Sequence, residues 1–220
     1  MSDDDRLFWR LFALMHCLPE LSSPQLLRWI AQEDEASLDL AYLSSLDQQQ
    51  LMARFPGDRA VMTRGRWQRV MACLRGELPA HLAVISSPRR EAQLLAAFAS
   101  QDGIAINGHF GQCRLFFIYA FDGNGSWLHG LRRYPSEPGE RESNEVRAQL
   151  LAGCHLLFCE AIGGPAAARI IRHNIHPMKV PPGTTIQSQR DALQALMADR
   201  LPPWLAKRLE KGNPLELRVF

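Results

Sequence analysis

A change of hydrophobic period near residue 90 constrains this chain more than any other feature. Ahead of it, apolar residues recur at helical spacing; behind it, they come in short continuous runs. One polypeptide must therefore build two kinds of core. Leu7, Phe8, Leu11, Phe12, Leu14 and Met15 recur on a helical face behind Asp3, Asp4 and Asp5, whose charges suit the positive end of a helix, and Pro19 stops it. Ser23-Pro24 reads as an N-cap followed by a first-turn proline, with Leu26, Leu27, Trp29 and Ile30 as the apolar face. Leu38, Leu40, Tyr42 and Leu43 indicate a third helix, residues 46–55 a fourth and 67–74 a fifth, with Phe55-Pro56-Gly57-Asp58 as the break between the last two. Residues 1–75 are thus expected to form a small all-α domain. Residues 76–90, with Gly76, Pro79, Ser86-Ser87 and Pro88, read as a linker.

From residue 91 the pattern predicts strands over 92–99, 103–106, 114–122 and 127–134, then a helix over 143–152 opened by Ser143-Asn144-Glu145. Strand 155–160, helix 165–174, strand 177–180 and helix 187–199 follow, and 204–210 adds a short last helix. Strands first and βα units afterwards predict a mixed sheet covered by helices, an α/β domain over 91–220.

The bulk numbers exclude more than they assign. Hydrophobic residues make up 46% and charged ones 22%, so a packed chain rather than a disordered one is expected. A formal net charge of +2 gives no bulk argument for nucleic acid or an anionic membrane. The five cysteines, at 17, 73, 113, 154 and 159, contain no Cys-x-x-Cys pair, which argues against a disulfide scaffold or a four-thiolate zinc site and for a reducing compartment. The acidic start Met1-Ser2-Asp3-Asp4-Asp5 is unlike a secretory signal, and no apolar stretch approaches the ~18 residues of a membrane span. A soluble, cytoplasmic protein is expected.

Asn107-Gly108-His109-Phe110-Gly111-Gln112-Cys113 places an imidazole and a thiol on a glycine-flanked turn between two strand-like runs. A soft metal centre can dock there. Gly108 and Gly111 would permit positive φ and close approach of a bulky ligand to the main chain. Gln112 can donate a hydrogen bond to a sulfide or a carboxylate, or face solvent. Cys113 can offer a second, softer contact, or pack as a small hydrophobe at the head of an apolar strand. Further on, Gly163-Gly164-Pro165 and three alanines open a helix at a strand end, where backbone amides and the dipole favour an anion. Arg169 on that helix is a candidate to lean toward the anion, whereas Arg172 and His173 in its last turn read as dipole-offsetting charges. Cys154 and Cys159, taken as one strand five positions apart, are expected on opposite faces.

Two separated blocks carry a resemblance. One joins Phe98-Ala99-Ser100-Gln101-Asp102-Gly103, His109-Phe110-Gly111 and Phe117-Ile118-Tyr119; the other runs from Glu160 through Gly163-Gly164-Pro165 to Arg169 and on through Asn174-Ile175-His176-Pro177-Met178-Lys179-Val180. Together they resemble the NifX/NifY/NafY family, which binds the iron-molybdenum cofactor of nitrogenase, over about residues 90–200. The resemblance implies a ribonuclease-H-like α/β core, a carrier rather than an enzyme, and a cluster ligand at His109. The extra helical third is similar in size and layout to the sterile-alpha-motif-like domain of NifY-type members and implies a site for apo-dinitrogenase, the cofactor-deficient molybdenum-iron protein. The cargo so implied is an anionic metal-sulfur cage with few open coordination positions. A single imidazole with hydrogen bonds, worth about 8 kcal/mol or near-micromolar affinity, can hold such a cage and still release it.

Two other readings stand beside this one. The protein can be a pure interaction module that grips apo-dinitrogenase without touching the cofactor. The implied fold also hosts two-metal nucleases, but these need several carboxylates at strand ends, and only Asp102, Asp122 and Glu160 lie near, with Asp102-Gly103 and Asp122-Gly123 reading as turns.

Overall fold

Side-chain caps set most helix starts in the first part of the chain. Helix α1 (Asp3–Cys17) opens on its three aspartates, and α2 (Ser23–Ala31) follows. Ser22, not Ser23, is the capping residue: its N–H donates to Gln25 Oε1 at 2.9 Å, the reciprocal half of a capping box, which moves Pro24 one position into the turn. Asp39, Asp47 and Thr63 accept backbone N–H bonds at the starts of α3 (Leu40–Ser45), α4 (Gln48–Ala53) and α5 (Arg64–Arg75). Gly76 at φ +90° closes α5 in a left-handed conformation that a side chain would strain.

In this computed structural model the described residues are 3–31, 38–79, 82, 91–135, 143–199 and 202–210. The chain divides into two compact units, Met1–Ala83 and Val84–Phe220. Most of the expected linker, residues 80, 81 and 83–90, lies outside the described residues. In the helical unit Trp29, Phe55 and Trp67 pack with ring centroids 5.3–6.2 Å apart. The buried face of α1 runs through Trp9, Phe12, Ala13 and Leu14, so Met15, expected inside, stands 37% exposed. Arg10 ties three helices, reaching Leu40 O, Ser44 Oγ and Leu74 O.

The second unit is built on a five-stranded mixed sheet of order β3-β2-β1-β4-β5, comprising β1 (Leu94–Ala99), β2 (Leu115–Asp122), β3 (Gly125–Arg133), β4 (Leu156–Cys159) and β5 (His176–Lys179). The first three strands pair antiparallel and the last two join β1 in parallel. Helices α6 (Ser143–Leu150) and α7 (Gly164–Arg172) supply the crossovers, while α8 (Ile186–Ala198) and α9 (Pro203–Glu210) come last. Strand alternation sorts the core: Leu95, Ala97 and Ala99 share one face with Phe116, Ile118, Leu157 and Cys159, and Ala148, Leu151, Ala166 and Ile170 pack onto it from the α6 and α7 regions. On the opposite face Phe98 stacks on Phe158 at 5.1 Å, and Arg190 of α8 lies over the Tyr119 ring at 4.4 Å.

Two sequence expectations change here. Residues 103–106 form no strand; Asp102 Oδ1 accepts the N–H groups of Ile104 and Ala105, each at 2.8 Å, which turns the chain, and Ala105 makes only an isolated bridge to Thr185. Cys154 precedes β4 rather than belonging to it, so strand parity does not separate it from Cys159. Both thiols sit in the same apolar cluster.

A surface imidazole at the mouth of a helix

The turn at His109 is fastened to three elements, and each fastening follows from a residue type. Gly108 N–H donates to Ala99 O at the end of β1, while Glu160 N–H donates to Gly108 O and Phe110 N–H to Ala161 O just beyond β4. On the far side Arg147 of α6 donates its Nε–H to Cys113 O at 2.9 Å. Within the turn His109 O accepts from the Gln112 and Cys113 amides. Phe110 is fully buried against Phe116, and its burial contributes about 2–3 kcal/mol to holding the turn down. His109 itself points outward, its side chain 57% exposed. Backbone tethers and a buried neighbour fix the base while the imidazole stays open.

The loop before the turn is equally ordered. Ser100 Oγ and Asn107 Nδ2 both donate to the Asp102 carboxylate, and Asn107 Oδ1 accepts from Gln101 N–H. Asp102 is thus consumed as a turn-former, and Asp122 accepts from Asn124 N–H at the β2–β3 hairpin, the opposite end of the sheet from Glu160. The three acids do not converge. Among the described residues no group of three histidine, cysteine or acidic side chains is placed to hold a metal ion.

The two sequence candidates, the His109 turn and the Gly163-Gly164-Pro165 helix start, are neighbours. His109 forms a parallel bridge with Ala161, two residues before Gly163 caps α7 without a side-chain hydrogen bond. Gly163, Gly164 and Pro165 are exposed. First-turn amides of a helix lack intrahelical acceptors, so this mouth offers N–H donors and the positive end of the dipole beside the imidazole. His109 Nε2 lies 3.2 Å from Glu160 Oε1. With the carboxylate accepting Nε2–H, the lone pair resides on Nδ1, the nitrogen then able to bind a metal. In the sequence Glu160 stands out as the start of the second resemblance block and as one of three acids near strand ends. Its role as the partner of His109 comes from a contact across 51 positions, announced by no local motif. Lys179, in register with Cys159 on β5, brings a positive charge to the same end of the sheet.

The remaining site expectations fare differently. Gly108 is not at positive φ, and neither is Gly111. A Cβ on Gly108 would lie 2.7 Å from Cys113 Sγ, 2.8 Å from Ala99 Cβ and 2.9 Å from Ala99 C, so the residue permits close packing of the turn on β1. Gly108→Ala is therefore expected to cost about 1–3 kcal/mol by overpacking. Gly111→Ala, whose Cβ would meet only Asn144 Oδ1 at 3.7 Å, should stay within about 0.5 kcal/mol. Urea denaturation of the two variants checks the contrast. Gln112 is exposed at the tip of the turn. Cys113 is 1% exposed, its thiol donates to Leu115 O at 3.0 Å, and burial pushes its pKa up, so it packs beneath the turn.

Arg169 engages Glu145 Oε2 at 3.2 Å, and His173 Nε2 meets Glu145 Oε1 at 2.9 Å, which ties α7 to α6. His173 is thus a hydrogen-bond partner of Glu145 at the end of α7. Desolvation raises the Glu145 pKa, but hydrogen bonds from His173 and Gln149 together with the charges of His173 and Arg169 outweigh it and leave the net shift downward. A carboxyl depressed in the folded state adds stability that is present above its unfolded value of about 4.3 and is lost as pH falls through the folded one. Glu145→Gln should flatten that acid limb, as thermal unfolding from pH 3 to 6 will show.

A mixed α/β sheet presents one tethered imidazole beside an open helix mouth. Residues 92–198 match the family model described as dinitrogenase iron-molybdenum cofactor. The chain is 61% identical over 209 residues to Protein NifY of Klebsiella pneumoniae, covering 95% of this chain and 91% of that protein. It is 36% identical to Protein NifX of Sinorhizobium fredii over 60% of this chain and 88% of that protein, and 32% identical to Protein NifY of Azotobacter vinelandii over 70% and 66%. The chain belongs to the NifX/NifY family of nitrogenase accessory proteins and is most like NifY.

Proposed function

We propose that this protein escorts the iron-molybdenum cofactor, or a precursor of it, to apo-dinitrogenase. His109 Nδ1 supplies the single coordinate bond, Glu160 fixes the tautomer, and the amides at the start of α7 hydrogen-bond to the anionic cage. Gly108 positions the turn, Gly111 and Gln112 lie at its exposed edge, Cys113 packs beneath it, and Arg169 joins α7 to α6 through Glu145. The helical unit, of sterile-alpha-motif-like type, grips the cofactor-deficient molybdenum-iron protein; the α/β unit is of ribonuclease-H-like type. The protein works in the cytoplasm as a chaperone, without nucleic acid or membrane as partner and without catalysis of its own. Among the described residues no helix is long and apolar enough to cross a membrane.

The observation that supports this reading is the bridge from His109 to Ala161, which brings an exposed imidazole close to a helix start without a side-chain cap. One ligand with hydrogen bonds holds the cargo loosely enough for transfer, whereas several ligands would trap it. The test is anaerobic gel filtration of the protein mixed with isolated cofactor. Iron and molybdenum eluting with the protein support the proposal; metals eluting separately, with apo-dinitrogenase still captured, would leave the pure interaction module as the better account.

A further inference from the structure

The helical unit holds a pair of thiols that the docking site does not use. Cys17 is the last residue of α1 and Cys73 lies on α5, 56 positions later, yet their Sγ atoms are 3.7 Å apart. Both are free thiols. A disulfide needs about 2.05 Å between sulfurs, so the two Sγ atoms have to close by roughly 1.7 Å to bond. Cys17 is partly exposed, whereas Cys73 is 1% exposed. Two arginines stand near Cys17: Arg66 donates its Nε–H to Cys17 O at 2.8 Å while pairing with Glu20, and Arg69 stands nearby on α5.

We propose that Cys17 and Cys73 form an oxidisable dithiol, a modification site at which a low-molecular-weight disulfide such as oxidised glutathione is reduced while the Cys17–Cys73 bond forms. Cys17 thiolate attacks one sulfur of the oxidant, making a mixed disulfide and expelling one glutathione thiolate. Cys73 then loses its proton to solvent and attacks Cys17 Sγ; the second glutathione leaves as thiolate. Two protein thiols are oxidised, one disulfide is reduced, and the two thiolates released take up the protons lost from the cysteines. The order of attack follows from exposure and charge. The hydrogen bond from Cys73, with Arg69 and Arg66 nearby, holds the Cys17 pKa below the ordinary thiol value despite desolvation. The same hydrogen bond and burial push Cys73 up, which suits a resolving thiol that acts second. In the α/β unit Cys113, Cys154 and Cys159 are buried and pushed up, the last two to about 12 and about 11, and do not compete for oxidant.

The bond would fasten the end of α1 to α5 and close a long chain loop, so the oxidised helical unit should melt roughly 10–30 °C higher than the reduced one. The experiment exposes reduced full-length protein to oxidised glutathione, alkylates the remaining thiols and maps them by peptide mass spectrometry. A Cys17–Cys73 linkage in the native chain, with a lasting glutathione adduct on Cys17 in Cys73→Ser and no adduct in Cys17→Ser, supports the proposal. Glutathione retained on Cys17 of the native chain, or oxidation reaching the three α/β thiols first, overturns it. A second measurement needs no variant: the alkylation rate of native Cys17 should be half-maximal below pH ~8.5, and a midpoint at or above that value overturns the assignment of Cys17 as attacking thiol.

Discussion

Replacing His109 by alanine is expected to weaken cofactor retention by more than about 100-fold, while changing folding stability by less than about 0.5 kcal/mol. Removing the outer partner of a metal-bound histidine already costs about 10–100-fold in metal affinity, so removing the ligand itself must cost more. Stability should hold because the imidazole is 57% exposed and its contact with Glu160 is a surface pair, worth about 0–1 kcal/mol at most. Tethers of the turn run through backbone groups of Gly108, Phe110 and Glu160, which alanine at position 109 leaves intact. Equilibrium retention of iron and molybdenum, set against urea denaturation of the same two proteins, separates a ligand from a merely structural residue. Glu160→Gln, which keeps a hydrogen-bond acceptor but loses the charge, should fall between native protein and His109→Ala.

The second large effect concerns Arg147, a cation only 5% exposed. Its guanidinium bonds Cys113 O at 2.9 Å and Ser143 O at 3.1 Å and lies 3.9 Å above the Tyr134 ring. Arg147→Met keeps the apolar stem but leaves the Cys113 carbonyl without its guanidinium donor, at about 1–3 kcal/mol, and removes a cation–π contact worth roughly 1 kcal/mol more. We expect the α/β unit to lose about 2–4 kcal/mol, measured by hydrogen exchange of the β1 and β2 amides. Because Arg147 fastens the far end of the turn that carries His109, retention should also drop in the folded Arg147→Met protein. A double variant with His109→Ala should then show less than the sum of the two losses, since both act on one bond.

Much of the fold can be read from the residues alone, where one periodicity dominates. The run 115–119 becomes β2, the run ahead of Ser100 becomes β1, and Gly163-Gly164-Pro165 opens α7 at a strand end. What escapes reading is tertiary in origin. Residues 103–106 look extended by composition, yet the Asp102 carboxylate gathers two amides and overrides that preference. Gly108 looks like a turn glycine, but its requirement is set by Ala99 and Cys113, which only folding brings within 3 Å of a hypothetical Cβ. Cys113 could be named as either ligand or packing residue; burial beneath β1 and β4 decides for packing. Glu160 and His109 lie 51 positions apart, as Cys17 and Cys73 lie 56 apart, and no local pattern announces either pair.

In the proposed function one nitrogen of one exposed imidazole bonds the metal-sulfur cage. Metal-edge X-ray absorption of isolated cofactor, recorded alone, with native protein and with His109→Ala, tests it most directly. A light-atom ligand that appears only with the native protein is the predicted result. Identical spectra for the native protein and the variant would contradict it.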